Sequence, residues 1–168
     1  AYSNILGRFF ARAYLETNEG VFDLLPIEGK RMDLFGGAYR VQRKAGYVGD
    51  MPDWIGWSNS GFVIAEAKGS HEKTSWGSKQ WPAPIDRALE QVGRVEIICR
   101  IRARNRTKAR LRRADLRVPF KGWATASRWA TEEKGDSPDF IAVDPPEDGV
   151  PMNEQEIDLA RASLRRTY

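Results

Sequence analysis

Residues 52–70 restrict the possible folds more than any other stretch. Phe62-Val63-Ile64-Ala65 is a run of four apolar residues leading straight into Glu66-Ala67-Lys68. Asp53-Trp54-Ile55-Gly56-Trp57 precedes it, and Asn59-Ser60-Gly61 stands between the two. Short apolar runs separated by turn residues read as two strands of a hairpin. The second strand begins apolar and ends polar, as a buried strand does where it emerges from a core. Side chains at i and i+2 of a strand lie on one side. Glu66 and Lys68 therefore project together, and the hairpin brings Asp53 beside them.

The surrounding chain supplies helices and further strands. Leu6, Phe9, Phe10 and Ala13 fall at helical spacing within residues 1–19, with Gly20 as a stop. Residues 21–37 contain Pro26, Gly29, Gly36 and Gly37 and read as loop with short strands, and residues 38–45 read as a strand. Residues 71–84 read as a polar loop. Ile85, Ala88, Leu89 and Val92 then repeat the helical spacing, with Pro84 near the first turn. Residues 95–101 fit a strand or a continued helix. Residues 100–106 fit a strand with one basic face, and from Arg106 onward a basic helix fits equally well. Residues 120–131 and 140–143 read as strands. A last helix is capped by Asn153 and Glu156, with Ile157, Ala160 and Leu164 on one face. The expected fold is α/β: one domain over residues 1–168, with a small mixed central β-sheet flanked by helices. The start at Ala1 is what a piece of a longer chain would show.

Composition closes off several classes. Hydrophobic residues make up 41% and charged residues 30% of the chain, which suits a folded soluble domain rather than a disordered segment. No apolar run approaches the ~20 residues that span a bilayer, so no membrane partner is expected. No basic stretch followed by an apolar one marks a signal peptide. Cys99 and His71 are the only cysteine and histidine. An internal disulfide is therefore excluded, as is a zinc site made of such ligands alone, and a reducing, cytoplasmic setting is expected. The net charge of +4 is unevenly spread. Arg100, Arg102, Arg104, Arg106, Lys108, Arg110, Arg112 and Arg113 follow one another with no acid between them. These eight of 27 basic residues leave 19 against 23 acidic residues elsewhere. A neutral-to-acidic body with one basic segment suits contact with a polyanion; a solvated basic face is the plainer alternative.

Two carboxylates and an ammonium at the polar end of a buried strand suit metal-assisted phosphodiester cleavage. Mg²⁺ takes hard oxygen ligands, usually one or two carboxylates, and keeps several waters. The metal stabilises charge and helps generate hydroxide, while a lysine orients the attacking water and offsets charge at the phosphate. Pro52-Asp53, twelve intervening residues and Glu66-Ala67-Lys68, followed by Gly69-Ser70, resemble the PD-(D/E)xK nuclease superfamily, which has the restriction-endonuclease-like fold. Other Glu-x-Lys triplets, Glu28-Gly29-Lys30 and Glu132-Glu133-Lys134, lack the apolar strand and the upstream Pro-Asp. The resemblance spans about 20 residues. It implies Asp53 and Glu66 as ligands of Mg²⁺ (or Mn²⁺) and Lys68 acting on the water. It further implies an acid from the first helix, for which Glu16 is the candidate, and a glutamine on the helix after the strand, for which Gln91 is. The tyrosine that some branches place four residues after this glutamine is Val95 here.

The expected activity is therefore metal-dependent hydrolysis of nucleic acid, with DNA favoured by the resemblance alone. Arg100, Arg102, Arg104, Arg106, Lys108 and Arg110 are the candidates for holding the phosphate backbone. His71, Asp50 and the tryptophans Trp54, Trp57, Trp76 and Trp81 are weaker candidates, the rings as stacking surfaces for bases. Two other readings stay open. One is a catalytically inactive nucleic-acid-binding module with the same fold; the other is a protein-interaction domain within a larger assembly. A toxin role would bring an immunity protein as partner.

Overall fold

The computed structural model describes residues 2–70, 83–104, 111–128 and 139–143. Among these residues two α-helices, α1 (Tyr2–Asn18) and α2 (Ala83–Gly93), accompany nine strands: β1 (Phe22–Pro26), β2 (Arg31–Leu34), β3 (Tyr39–Arg43), β4 (Trp54–Ser58), β5 (Gly61–Ser70), β6 (Val95–Arg104), β7 (Leu111–Val118), β8 (Phe120–Arg128) and β9 (Asp139–Val143). The fold is mixed α/β, and the sheet expected at its centre is present. It has five strands in the order β1-β4-β5-β8-β9. The β5–β8 pair is parallel and the other pairs are antiparallel, so the sheet is mixed. A second, antiparallel sheet, β2-β3-β6-β7, is a layer the sequence did not announce.

Alternation along β5 sorts the layers. Val63, Ala65 and Ala67 pack with Ala11 and Leu15 of α1, and with Val21, Leu24, Trp54 and Trp123. Phe62 and Ile64 point the other way, into a core shared with Ile55, Trp57, Val92 of α2 and the inner residues Val41, Val95 and Ile97 of the second sheet. α1 thus covers one face of the central sheet, while α2 and the second sheet cover the other. Residues 61–67 are all buried, which explains why the run reads as continuous rather than alternating.

Two expectations are corrected. α1 does not bury Leu6, Phe9 and Phe10, which are exposed, Phe9 at 67%. It buries Gly7, Ala11 and Leu15, one turn apart, and the small residues at the N-terminal end of this stripe, Gly7 and Ala11, let the helix lie close on β5. A Cβ on Gly7 would stand 3.0 Å from both the Cα and the backbone nitrogen of Gly69. The basic helix considered from Arg106 onward is replaced over Leu111–Val118 by strand β7. Its register joins it to β6 from Ile97↔Val118 to Arg104↔Leu111, and the ladder satisfies both backbones. Trp54 and Trp57 are core residues, 5% and 4% exposed, as the preference of strands for aromatic residues leads one to expect of at least two of the four tryptophans. His71, Trp76, Trp81 and the helix proposed after Asn153 lie outside the described residues, as do residues 71–82 of the expected loop.

Candidate active site

The β4–β5 hairpin fixes the two carboxylates. Trp54 pairs with Ala65, and one further step in that register sets Asp53 opposite Glu66. Hydrogen bonds lock the arrangement: the Asp53 backbone N–H donates to Glu66 Oε2 at 2.9 Å, and the Ala67 N–H donates to Asp53 Oδ2 at 2.9 Å. The Asp53 carbonyl accepts from the Ile27 N–H at 2.9 Å, tying the entry to β4 to the segment after β1. Behind the site, Thr125 Oγ1 of β8 donates to the Glu66 carbonyl at 3.3 Å. Each carboxyl is thus held by the backbone of the other's strand, and the two groups face one site.

Lys68 lies on the same side of β5 as Glu66, the side covered by α2. Its Nζ donates to Glu66 Oε1 and to Gln91 Oε1 of α2. Asp53, Glu66, Lys68 and Gln91, all anticipated from sequence, therefore form one connected group. Glu16 does not join them. Its exposed carboxylate takes Arg12 Nε at 2.7 Å. The first helix instead offers Arg8, whose Nε stands 3.2 Å from Asp53 Oδ1 and whose guanidinium lies 5.1 Å from the Trp54 ring centroid. Glu16 is eight residues beyond Arg8, roughly 12 Å along the helix axis, which is why it misses the site. Arg8 has no mark in the sequence as a site residue, because a single arginine on a helix belongs to no motif or period there. The nearest signal is the adjacent glycine, a small residue inside a helix, marking a close approach. Asp50 is exposed and has no described contact with the group.

Electrostatically, the site is a buried acid pair with Lys68 and Arg8 beside it. Glu66 is 4% exposed, and its carboxyl is pushed up to about 7, first by burial and then by the neighbouring Asp53, with Lys68 pulling against both. Asp53 is also raised, by burial, opposed by the Ala67 N–H and by Arg8 and Lys68. Two buried carboxyls that disfavour each other's ionisation are stabilised together by a cation between them. The donors are all hard oxygens, which suits Mg²⁺ or Mn²⁺. Among the described residues no group of three or more His, Cys, Asp or Glu side chains gathers. The side-chain donors here are the two carboxylates, within the range Mg²⁺ accepts when waters complete its shell.

The basic segment belongs to the second sheet. Arg100, Arg102 and Arg104 are in β6. Arg100 shares Asp33 with Arg40 and Arg31, at 3.6, 2.8 and 3.6 Å, and Arg40 foremost, with Arg31, holds the Asp33 carboxyl below its usual range against the opposing effect of desolvation. Arg106, Lys108 and Arg110 lie outside the described residues. Among the described residues no helix is long and apolar enough to cross a membrane. Comparison with protein-family models, curated proteins and solved structures finds no match for this chain.

Proposed function

We propose that the chain is a metal-dependent nuclease of the PD-(D/E)xK type, with a restriction-endonuclease-like fold, hydrolysing phosphodiester bonds in DNA. The observation carrying this reading is the Asp53–Glu66–Lys68–Gln91 group: two carboxyls cross-braced by backbone N–H groups, with an ammonium held between one of them and an amide. Surface ion pairs contribute little and are seldom buried. Here Glu66 is nearly inaccessible and its carboxyl is raised toward neutrality, an arrangement that destabilises the fold and is typical of sites kept for chemistry.

Asp53 and Glu66 would hold Mg²⁺ or Mn²⁺, which would supply charge stabilisation at the phosphate and a source of hydroxide. The chain's own groups do the rest. Gln91 Oε1 restrains the Lys68 ammonium, which orients a water for attack and offsets charge growing on the phosphate. Glu66, once ionised, accepts a hydrogen bond from Lys68 and so fixes the direction of its ammonium. The core beneath β5 keeps the carboxyls fixed, so no reorganisation accompanies the reaction. The arginines of β6 supply charge for the polyanion.

A cleavage assay on supercoiled, linear and single-stranded DNA with Mg²⁺ or Mn²⁺ tests the proposal. Asp53→Asn, Glu66→Gln and Lys68→Ala should each abolish cutting, and EDTA should do the same for the wild type. Metal-independent cutting, or cutting that survives Glu66→Gln, refutes it. DNA binding without cutting by the wild type points instead to an inactive binding module.

A further inference from the structure

We infer that Arg8 is a phosphate-binding residue of this site, bridging Asp53 and a non-bridging oxygen of the bound nucleic-acid strand. The inference rests on the nuclease reading above and adds to it a group from the opposite face of the sheet. Arg8 uses Nε for Asp53 Oδ1 at 3.2 Å. Among the described residues its two terminal nitrogens have no acceptor, and its side chain is 45% exposed. A guanidinium carries five N–H donors in a planar fork that matches phosphate oxygens. With one edge taken by Asp53, the remaining donors stay available beside the carboxyl pair.

The position is built rather than incidental. Gly7, the preceding residue, lies against the Gly69 backbone, and a Cβ there would come to 3.0 Å. That close approach brings the α1 backbone to the end of β5 that carries Lys68. The Trp54 ring, itself 5% exposed, lies 5.1 Å from the guanidinium carbon. A cation over an aromatic face is restrained in the plane of its fork, so little rotamer freedom remains to be lost on binding. An ordinary surface arginine has neither restraint. A residue bonded to a candidate metal ligand and still able to donate is placed to tie strand position to metal position. Lysine cannot do both with one ammonium.

The test measures binding, not turnover. A short fluorescein-labelled DNA duplex is titrated in Ca²⁺, a hard cation for oxygen sites, over a series of salt concentrations, and Mn²⁺ affinity is measured separately by calorimetry. Arg8→Ala should weaken duplex binding about tenfold and reduce the slope of log K against log salt by about 0.9, with Mn²⁺ affinity undiminished. Arg8→Lys should recover the slope but not the affinity. An unchanged slope in Arg8→Ala, a parallel loss of Mn²⁺ affinity, or full recovery by Arg8→Lys overturns the inference, because the arginine then acts only on helix packing, on Asp53 or through charge alone. If the wild type binds neither Mn²⁺ nor the duplex, the nuclease reading falls and this inference with it.

Discussion

Replacing Glu66 by Gln isolates the cost of the buried charge, and its size follows from the structure. The Glu66 carboxyl moves from 4.5 to about 7 on folding, so the folded chain holds the proton more tightly than the unfolded one. That stability is fully present below about pH 4.5 and is lost as pH rises through about 7. At about 1.36 kcal/mol per pKa unit the loss is roughly 3 kcal/mol. Glutamine carries no charge and escapes it. It can keep an acceptor toward the Asp53 N–H or toward Lys68, but not both, which costs about 1 kcal/mol. Glu66→Gln should therefore be about 2 kcal/mol more stable than the wild type near pH 8 and slightly less stable near pH 4. Urea unfolding in EDTA reads this directly, as a midpoint shift of about 1 M at the higher pH. A variant less stable than the wild type near pH 8, or a gap that ignores pH, would refute the picture of a destabilising buried carboxylate.

Three further outcomes follow from the same geometry. Because Glu66 must ionise to accept a cation, Mn²⁺ affinity measured by calorimetry should rise about tenfold between about pH 6 and pH 8; a flat profile removes Glu66 as a ligand. Lys68→Ala should leave Mn²⁺ binding in place while moving the midpoint of that pH dependence above about 7, since the ammonium is what pulls the Glu66 carboxyl down; a downward movement contradicts the assignment. Gly7→Ala forces a methyl against the Gly69 backbone and should cost about 1–3 kcal/mol, read as a lower denaturation midpoint, whereas an unchanged midpoint would show that α1 does not lie so close.

Much of the site was legible because strand geometry is rigid. A period of two and the two-residue turn Asn59-Ser60 suffice to put Asp53 opposite Glu66 and Lys68 on the Glu66 side, and the spacing of Ile85, Ala88 and Val92 sets Gln91 on a helix above them. The errors arose where side chains are amphipathic. Alternating arginines in residues 100–113 fit a strand or a helix, since their long stems suit either, and only pairing with β6 decides for strand over Leu111–Val118. On α1 the large apolar residues Leu6, Phe9 and Phe10 stay exposed, and the helix packs by Gly7, Ala11 and Leu15, because the depth of approach to β5 at Gly7 and Ala11 decides which face turns inward. Nothing in the sequence revealed that β2, β3, β6 and β7 form a layer of their own, because strand partners separated by more than fifty residues, such as Val41 and Ile97, leave no local trace.

The parallel union of β5 and β8 bears on when the site comes into being. Phe62 finds its neighbour in Phe120 and Glu66 in Ala124, so the middle strand of the larger sheet gains its second ladder only after some fifty-eight residues of intervening chain have been laid down. A growing polypeptide that stops short of Phe120 already holds every acid, amide and ammonium discussed above, yet one side of β5 is bare and the Glu66 carbonyl lacks its Thr125 donor. Long-range parallel pairing is slow to form, and the exposed edge invites association with other chains meanwhile. The hairpin that pairs the two acids is local, but the sheet that buries it closes only with β8, and C-terminal truncations into β8 should yield aggregation rather than a soluble, folded chain.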